Sequence, residues 1–254
     1  MKALVFSVMA GILLASCAPL PVPPIPTPFP SLTPPPPVST PTDLPVELAP
    51  TPTPSDVIFR DDFSTILASN WSWSGVDPHD VSLTAQRGYA QFTLRPGYAF
   101  ETGLGTLLLR PAPQGDFEIG TRLVFRPIHD YQFAGLIVYE SRDAYLQAGR
   151  EMCRDAGTCV GDGLYMDRYV TGRLQSGGVH LEFKGPSVIY LRLRRQGQTY
   201  TLFTSADGAV WSPIGQRQTD MTPAYVGLFA GQNPVGGPTA YFDYFEIRSV
   251  PPSD

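Results

Sequence analysis

The sequence predicts an all-β domain, a two-sheet antiparallel sandwich of the jelly-roll kind, carried behind a proline-rich tether. Three observations lead there. Short segments rich in β-branched and aromatic residues recur along the C-terminal two hundred or so residues, bounded by Gly, Pro, Asp or Asn. No segment of that region keeps a helical period beyond a turn or two. The stretch 18–55 holds more than half of the chain's 28 prolines, and proline removes the backbone donors that a helix or sheet ladder needs.

Taken in order, the first segment is residues 1–17. One basic residue, Lys2, precedes an apolar run from Ala3 to Ala15 that is short for a bilayer span, so it reads as an export signal. Its end, Leu14-Ala15-Ser16-Cys17, resembles the lipobox of bacterial lipoproteins. That resemblance implies an acylated Cys17 at the mature N-terminus, a membrane as partner and an extracytoplasmic, lipid-anchored location. The alternative is an ordinary secretory signal with a chance cysteine. Residues 18–55 are expected to be a disordered, semi-rigid polyproline II stalk. At roughly 3.1 Å per residue, such a stalk reaches on the order of 100 Å.

Residues 56–250 form a single candidate domain with no proline-rich gap to divide it. The segment Phe117–Phe125 alternates, placing Phe117, Ile119, Leu123 and Phe125 on one face. Further strands are expected at 134–139, 145–149, 164–166, 179–183, 188–193, 199–204, 226–230 and 240–247. Ser205-Ala206-Asp207-Gly208 reads as a hairpin turn in which Gly208 can take a positive φ. Cys153 and Cys159 lie close together in a Gly/Asp-rich loop. In an exported protein they are expected to be joined as a disulfide, since two thiolates without a nearby histidine make a poor zinc site.

Strings along the domain also resemble a known family. They include Phe59-Arg60-Asp61-Asp62-Phe63, Gly115-Asp116-Phe117-Glu118-Ile119, Ala134-Gly135-Leu136-Ile137-Val138-Tyr139, Val226-Gly227-Leu228-Phe229-Ala230 and Phe242-Asp243-Tyr244-Phe245-Glu246-Ile247. In order and spacing they are similar to the concanavalin A-like β-sandwich found as the C-terminal domain of bacterial β-xylosidases. The resemblance implies two antiparallel sheets with the first and last strands adjacent. It implies no fixed chemistry for a stand-alone domain.

Candidate sites follow from residue type. Asp116 and Glu118 share a strand face by parity and are the nearest approach to a glycosidase carboxylate pair, but no E-x-D-x-x-E strand accompanies them. Asp243 and Glu246 have the wrong parity to share a face. Sugar binding has better support. Tyr139, Tyr145, Tyr165 and Tyr169 offer stacking rings, and Gln132 and Asp162 offer planar partners for hydroxyls, all around the cysteine loop. Asp61, Asp62 and Asp243 come together if the end strands pair, and could hold a structural calcium ion (Ca2+); no other cofactor is expected. His180 is read as surface polarity.

The net charge of −5 and the absence of a basic stripe exclude a general nucleic-acid binder. The sequence therefore predicts a monomeric, surface-anchored domain that binds polysaccharide without catalysis. A glycoside hydrolase and a structural or adhesive surface domain are the alternatives.

Overall fold

The computed structural model describes residues 57–75, 80–94, 105–154, 161–231 and 237–251. Alternating apolar and polar residues give sixteen strands there and, among the described residues, no helix. Cys17, the 18–55 stretch, His79 and Cys159 lie outside the described residues.

The first sheet contains β1 (Val57–Asp61), β3 (Val81–Ser82), β4 (Ala90–Thr93), β6 (Phe117–Val124), β12 (Val188–Gln196), β13 (Thr199–Ser205), β14 (Ser212–Gln218) and β16 (Thr239–Ser249). Its order is β14-β13-β12-β6-β16-β4-β3, with β1 beside β16. The second contains β2 (Ser72–Ser74), β5 (Thr106–Pro111), β7 (Gln132–Ser141), β8 (Ala144–Cys153), β9 (Gly161–Val170), β10 (Arg173–Leu174), β11 (Val179–Glu182) and β15 (Tyr225–Gly231). Its order is β10-β9-β8-β7-β15-β5-β2, with β11 also beside β9. Every pairing is antiparallel, as expected of a sandwich built from hairpins.

The inward residues of both sheets form one buried layer. Phe117, Ile119 and Leu123 of β6 and Leu191 and Leu193 of β12 join Leu136 and Val138 of β7, Leu146 of β8 and Leu228 of β15. Each large side chain removed from water there contributes roughly 1.5–3 kcal/mol. The first and last strands are adjacent, with Phe59 opposite Ile247 and Asp61 opposite Phe245. The β13–β14 turn is the expected one. Gly208 sits at φ 77°, and the Asp207 carboxylate accepts from the Ala209 and Val210 amides.

One register detail overturns the parity reading of the last strand. Phe242 lies opposite Leu123 and Phe245 opposite Thr121, so Asp243 and Tyr244 together face the single residue Arg122. This bulge returns Glu246 to the face that Asp243 occupies. Both point outward from the first sheet, Asp243 to Arg122 at 3.0 Å and Glu246 to Arg60 at 3.0 Å and Arg248 at 2.8 Å.

Candidate functional site

The outer face of the second sheet carries a second layer of buried apolar side chains. Strand alternation sends Leu146, Ala148, Leu164 and Met166 into the core and leaves their neighbours outside. Those outward residues build a second apolar layer of Leu107, Leu109, Phe133, Ile137, Tyr145, Tyr165 and Phe229, with Tyr131, Tyr139 and Tyr169 packed against it.

Register sorts this face into cross-strand rows. One row runs Leu109, Gly227, Ile137, Gln147, Asp167. The next runs Leu107, Phe229, Gly135, Gly149, Tyr165, His180. Its two central glycines are required by sterics. A Cβ on Gly135 would stand 2.2 Å from the Ala148 carbonyl oxygen, and one on Gly149 would stand 2.1 Å from that of Ala134. The rings of Phe133 and Tyr165, centroids 6.4 Å apart, flank this glycine floor.

A charged cluster sits at one side of the face. His180 pairs through Nδ1 with Glu151 at 3.0 Å and through Nε2 with Asp167 at 3.2 Å. Gly178 makes room for it, since a Cβ there would lie 2.2 Å from Asp167 Oδ1. Hydrogen bonds to the two carboxylates, Asp167 first, raise the imidazole pKa to about 10, so His180 is an imidazolium at neutral pH. Glu151 is pushed upward by its burial, which outweighs the pairing with His180. Parallel to the imidazole lies Tyr165, whose hydroxyl is buried and has no hydrogen-bond partner among the described residues. Burial drives its pKa well above the phenolic value, so it remains a donor.

The structure brings together four of the six sequence-predicted ligand residues and separates two. Tyr139, Tyr145, Tyr165 and Tyr169 all belong to the outer face. Tyr145 and Tyr165 are only 7% and 2% exposed, so they cannot offer open rings for stacking; Tyr139 and Tyr169 are half-buried. Gln132 and Asp162 have the opposite parity. The Gln132 carbonyl accepts from the Ile128 and His129 amides at 2.8 and 3.0 Å, tying down the turn before β7. Asp162 is engaged by Arg150, which is wholly buried and donates to both its oxygens at 2.9 and 2.8 Å and to the Phe125 and Pro186 carbonyls. His180, read from sequence as surface polarity, instead closes an ion triad, and Tyr225 and Gln147 are outer-face residues that sequence reasoning missed. Alternation carried through 144–153 and from Val226 back to Tyr225 is the signal that reveals them.

The other candidate sites disperse. Glu118 is buried and accepts from Arg194 at 2.8 Å, with Arg192 at 3.3 Å, while Asp116 accepts from the Gly197 amide at 2.7 Å. The two guanidinium groups hold the Glu118 carboxylate in place. Arg192 also lies 3.9 Å from the Trp211 ring. The three calcium candidates do not fit a shared ion. Asp61 accepts from the amides of Phe63 and Ala68 and from the Trp71 indole, Asp62 is held by Arg60, and Asp243 by Arg122. No group of three or more metal-ligating side chains converges among the described residues. The Glu151–His180–Asp167 set diverges from the two sides of one ring. Cys153 ends β8 in a buried position, and its expected partner lies outside the described residues.

Comparison with known proteins agrees with this fold. A GH43 protein of Bacillus licheniformis is 20% identical, with a TM-score of 0.61 over 75% of this chain and 39% of its own. A xylan β-1,4-xylosidase of Bacillus halodurans is 20% identical, with a TM-score of 0.60 over 82% of this chain and 41% of its own. A functionally unknown protein of Saccharomyces cerevisiae is 18% identical, with a TM-score of 0.56 over 73% of this chain and 98% of its own. The chain thus spans about two fifths of the two bacterial proteins, and at these identities the likeness shows the fold alone. Among curated proteins none matches. The family model of the β-xylosidase C-terminal concanavalin A-like domain matches residues 60–248, and the chain belongs to that family.

Proposed function

We propose that the protein holds polysaccharide at a bacterial surface through its sandwich domain and has no catalysis of its own. The observation that carries this reading is the edge of the second sheet's outer face, where Tyr225 is 39% exposed and Tyr139 and Tyr169 are half-buried beside one another. Sugar rings pack on apolar surface while their hydroxyls need polar partners, and partly exposed tyrosines carry both a ring and a hydroxyl. Family membership adds support, since one structural neighbour is a xylan β-1,4-xylosidase. The lipobox-like Leu14–Cys17 and the proline-rich 18–55 support a lipid anchor and a stalk, and the exported setting supports a Cys153–Cys159 bond.

Affinity electrophoresis of the full chain against xylan and β-glucan panels tests the binding. Retardation by at least one neutral polysaccharide, without release of reducing sugar, is expected. Free migration through every gel would turn the reading toward a structural domain, and sugar release abolished by Glu118→Gln would turn it toward a hydrolase. Mass spectrometry of the mature N-terminus should find acyl chains on Cys17.

A further inference from the structure

The outermost row of the second sheet differs from those behind it. Its members are Pro111 on β5, Tyr225 on β15, Tyr139 on β7, Tyr145 on β8, Tyr169 on β9 and Leu174 on β10, each directly opposite the next. Six adjacent strands therefore contribute one apolar residue apiece, and the four in the middle are tyrosines. The row carries no charged side chain. It is open toward both ends, with Pro111 exposed, Tyr225 39% exposed and Leu174 47% exposed. Tyr145 and Tyr169 stack at 4.6 Å, and Tyr139 leans on Tyr225 at 6.3 Å. The rings thus brace one another, with Tyr145 buried inside the row and Tyr139 and Tyr169 half-buried on either side of it. Among the described residues no hydrogen bond engages any of the four tyrosine hydroxyls.

The row is held from beneath. Arg168, on the core side of β9, donates to the Tyr145 carbonyl at 3.1 Å and to that of Tyr169, while its Nε reaches Thr219. The turns at its edge are clipped together by the Gly172 amide on the Asp143 carbonyl and the Ala224 amide on the Tyr139 carbonyl. A row pinned this way loses little freedom when a ligand settles on it.

Resting on the carbohydrate reading above, we propose that this row is the track for an extended, uncharged β-1,4-linked glycan chain lying across the strands, one sugar to each strand. The pitch carries the assignment, because adjacent strands lie about 4.8 Å apart and an extended β-1,4-linked pyranose chain advances about 5 Å per residue. A row without charge complements a neutral chain, and a polyuronate would bring carboxylates against phenols it cannot neutralise. The Tyr145 and Tyr169 hydroxyls stay protonated, since burial and the nearby Asp143 and Asp167 raise the Tyr145 pKa, and burial with Tyr145 raises that of Tyr169. A phenol at the open part of the row can give and take a hydrogen bond with a sugar edge.

Calorimetric titration with β-1,4-xylo-oligosaccharides of two to six units tests the track. Affinity is expected to climb with each added unit through the hexamer, one sugar for each of the six strands. Tyr225→Ala and Tyr169→Ala should each weaken the hexamer on the order of tenfold. Tyr225→Phe keeps the ring, so it should fold like the parent and lose a smaller share; melting curves show whether the alanine variants are folded. A disaccharide that binds as tightly as the hexamer, or full hexamer affinity in folded Tyr169→Ala and Tyr225→Ala variants, would overturn the track and leave carbohydrate binding standing. Equal affinity for a polyuronate would overturn the neutral-chain assignment. Loss of all binding, polysaccharides included, would overturn both.

Discussion

Arg150 shows how one residue can decide the role of another. Its guanidinium is buried completely and needs five acceptor contacts, which Asp162 and the carbonyls of Phe125, Gly185 and Pro186 supply. Removing Asp162 leaves a cation stranded in the apolar layer, so Asp162→Ala should lower unfolding free energy by about 3–5 kcal/mol in urea titrations. Adding Arg150→Met should recover much of that loss, because the stranded charge goes too. His180 makes the second prediction at this scale. Its folded pKa of about 10 lies above its ordinary value near 6.5. Its stabilising contribution is therefore fully present below about pH 6.5 and fades as pH rises through about 10. The melting-temperature gap between the parent and His180→Gln should be wide at pH 6 and narrow at pH 10.5. A gap that stays constant across this range would mean that the imidazolium is not what holds β11 to its neighbours.

Strands were legible where alternation was strict and obscure where it broke. Phe117 to Phe125 announced β6, and Val188 to Leu193 announced β12, because the inward positions are uniformly large and apolar. The closing strand defeated the same rule, since parity cannot count an extra residue and the bulge at Asp243–Tyr244 inserts one. Asp162 and Gln132 were assigned to the wrong face for a different reason. Their strands were read too short, and the alternation anchored by Leu164 and Met166, or by Ala134 and Leu136, was not carried out to them. The glycine pair illustrates what no period reveals. Gly135 and Gly149 look like breaks in apolar runs, yet their strands approach so closely that a Cβ would meet a backbone carbonyl. Gly149→Ala must push β7 and β8 apart, and should cost about 1–3 kcal/mol in a denaturant titration.

At the scale of the whole molecule, the tyrosine cluster could be sensed in sequence but its geometry could not. Tyr139, Tyr145 and Tyr169 fall within one stretch, whereas Tyr225 joins them only because β15 lies beside β7. Long-range pairing of that kind is written in the packing of two sheets, not in any local window. The same pairing sets the ends of the domain side by side. Val57 is in register with Arg248, across a single ladder spacing in the first sheet, on the far side of the sandwich from the tyrosine row. A short bridge could join them without disturbing either sheet, and new ends could be opened at the exposed Asp207–Gly208 turn. The domain is thus built so that its chain order can be cut and rejoined, or spliced as a cassette into a loop of another protein, with the tyrosine row left intact.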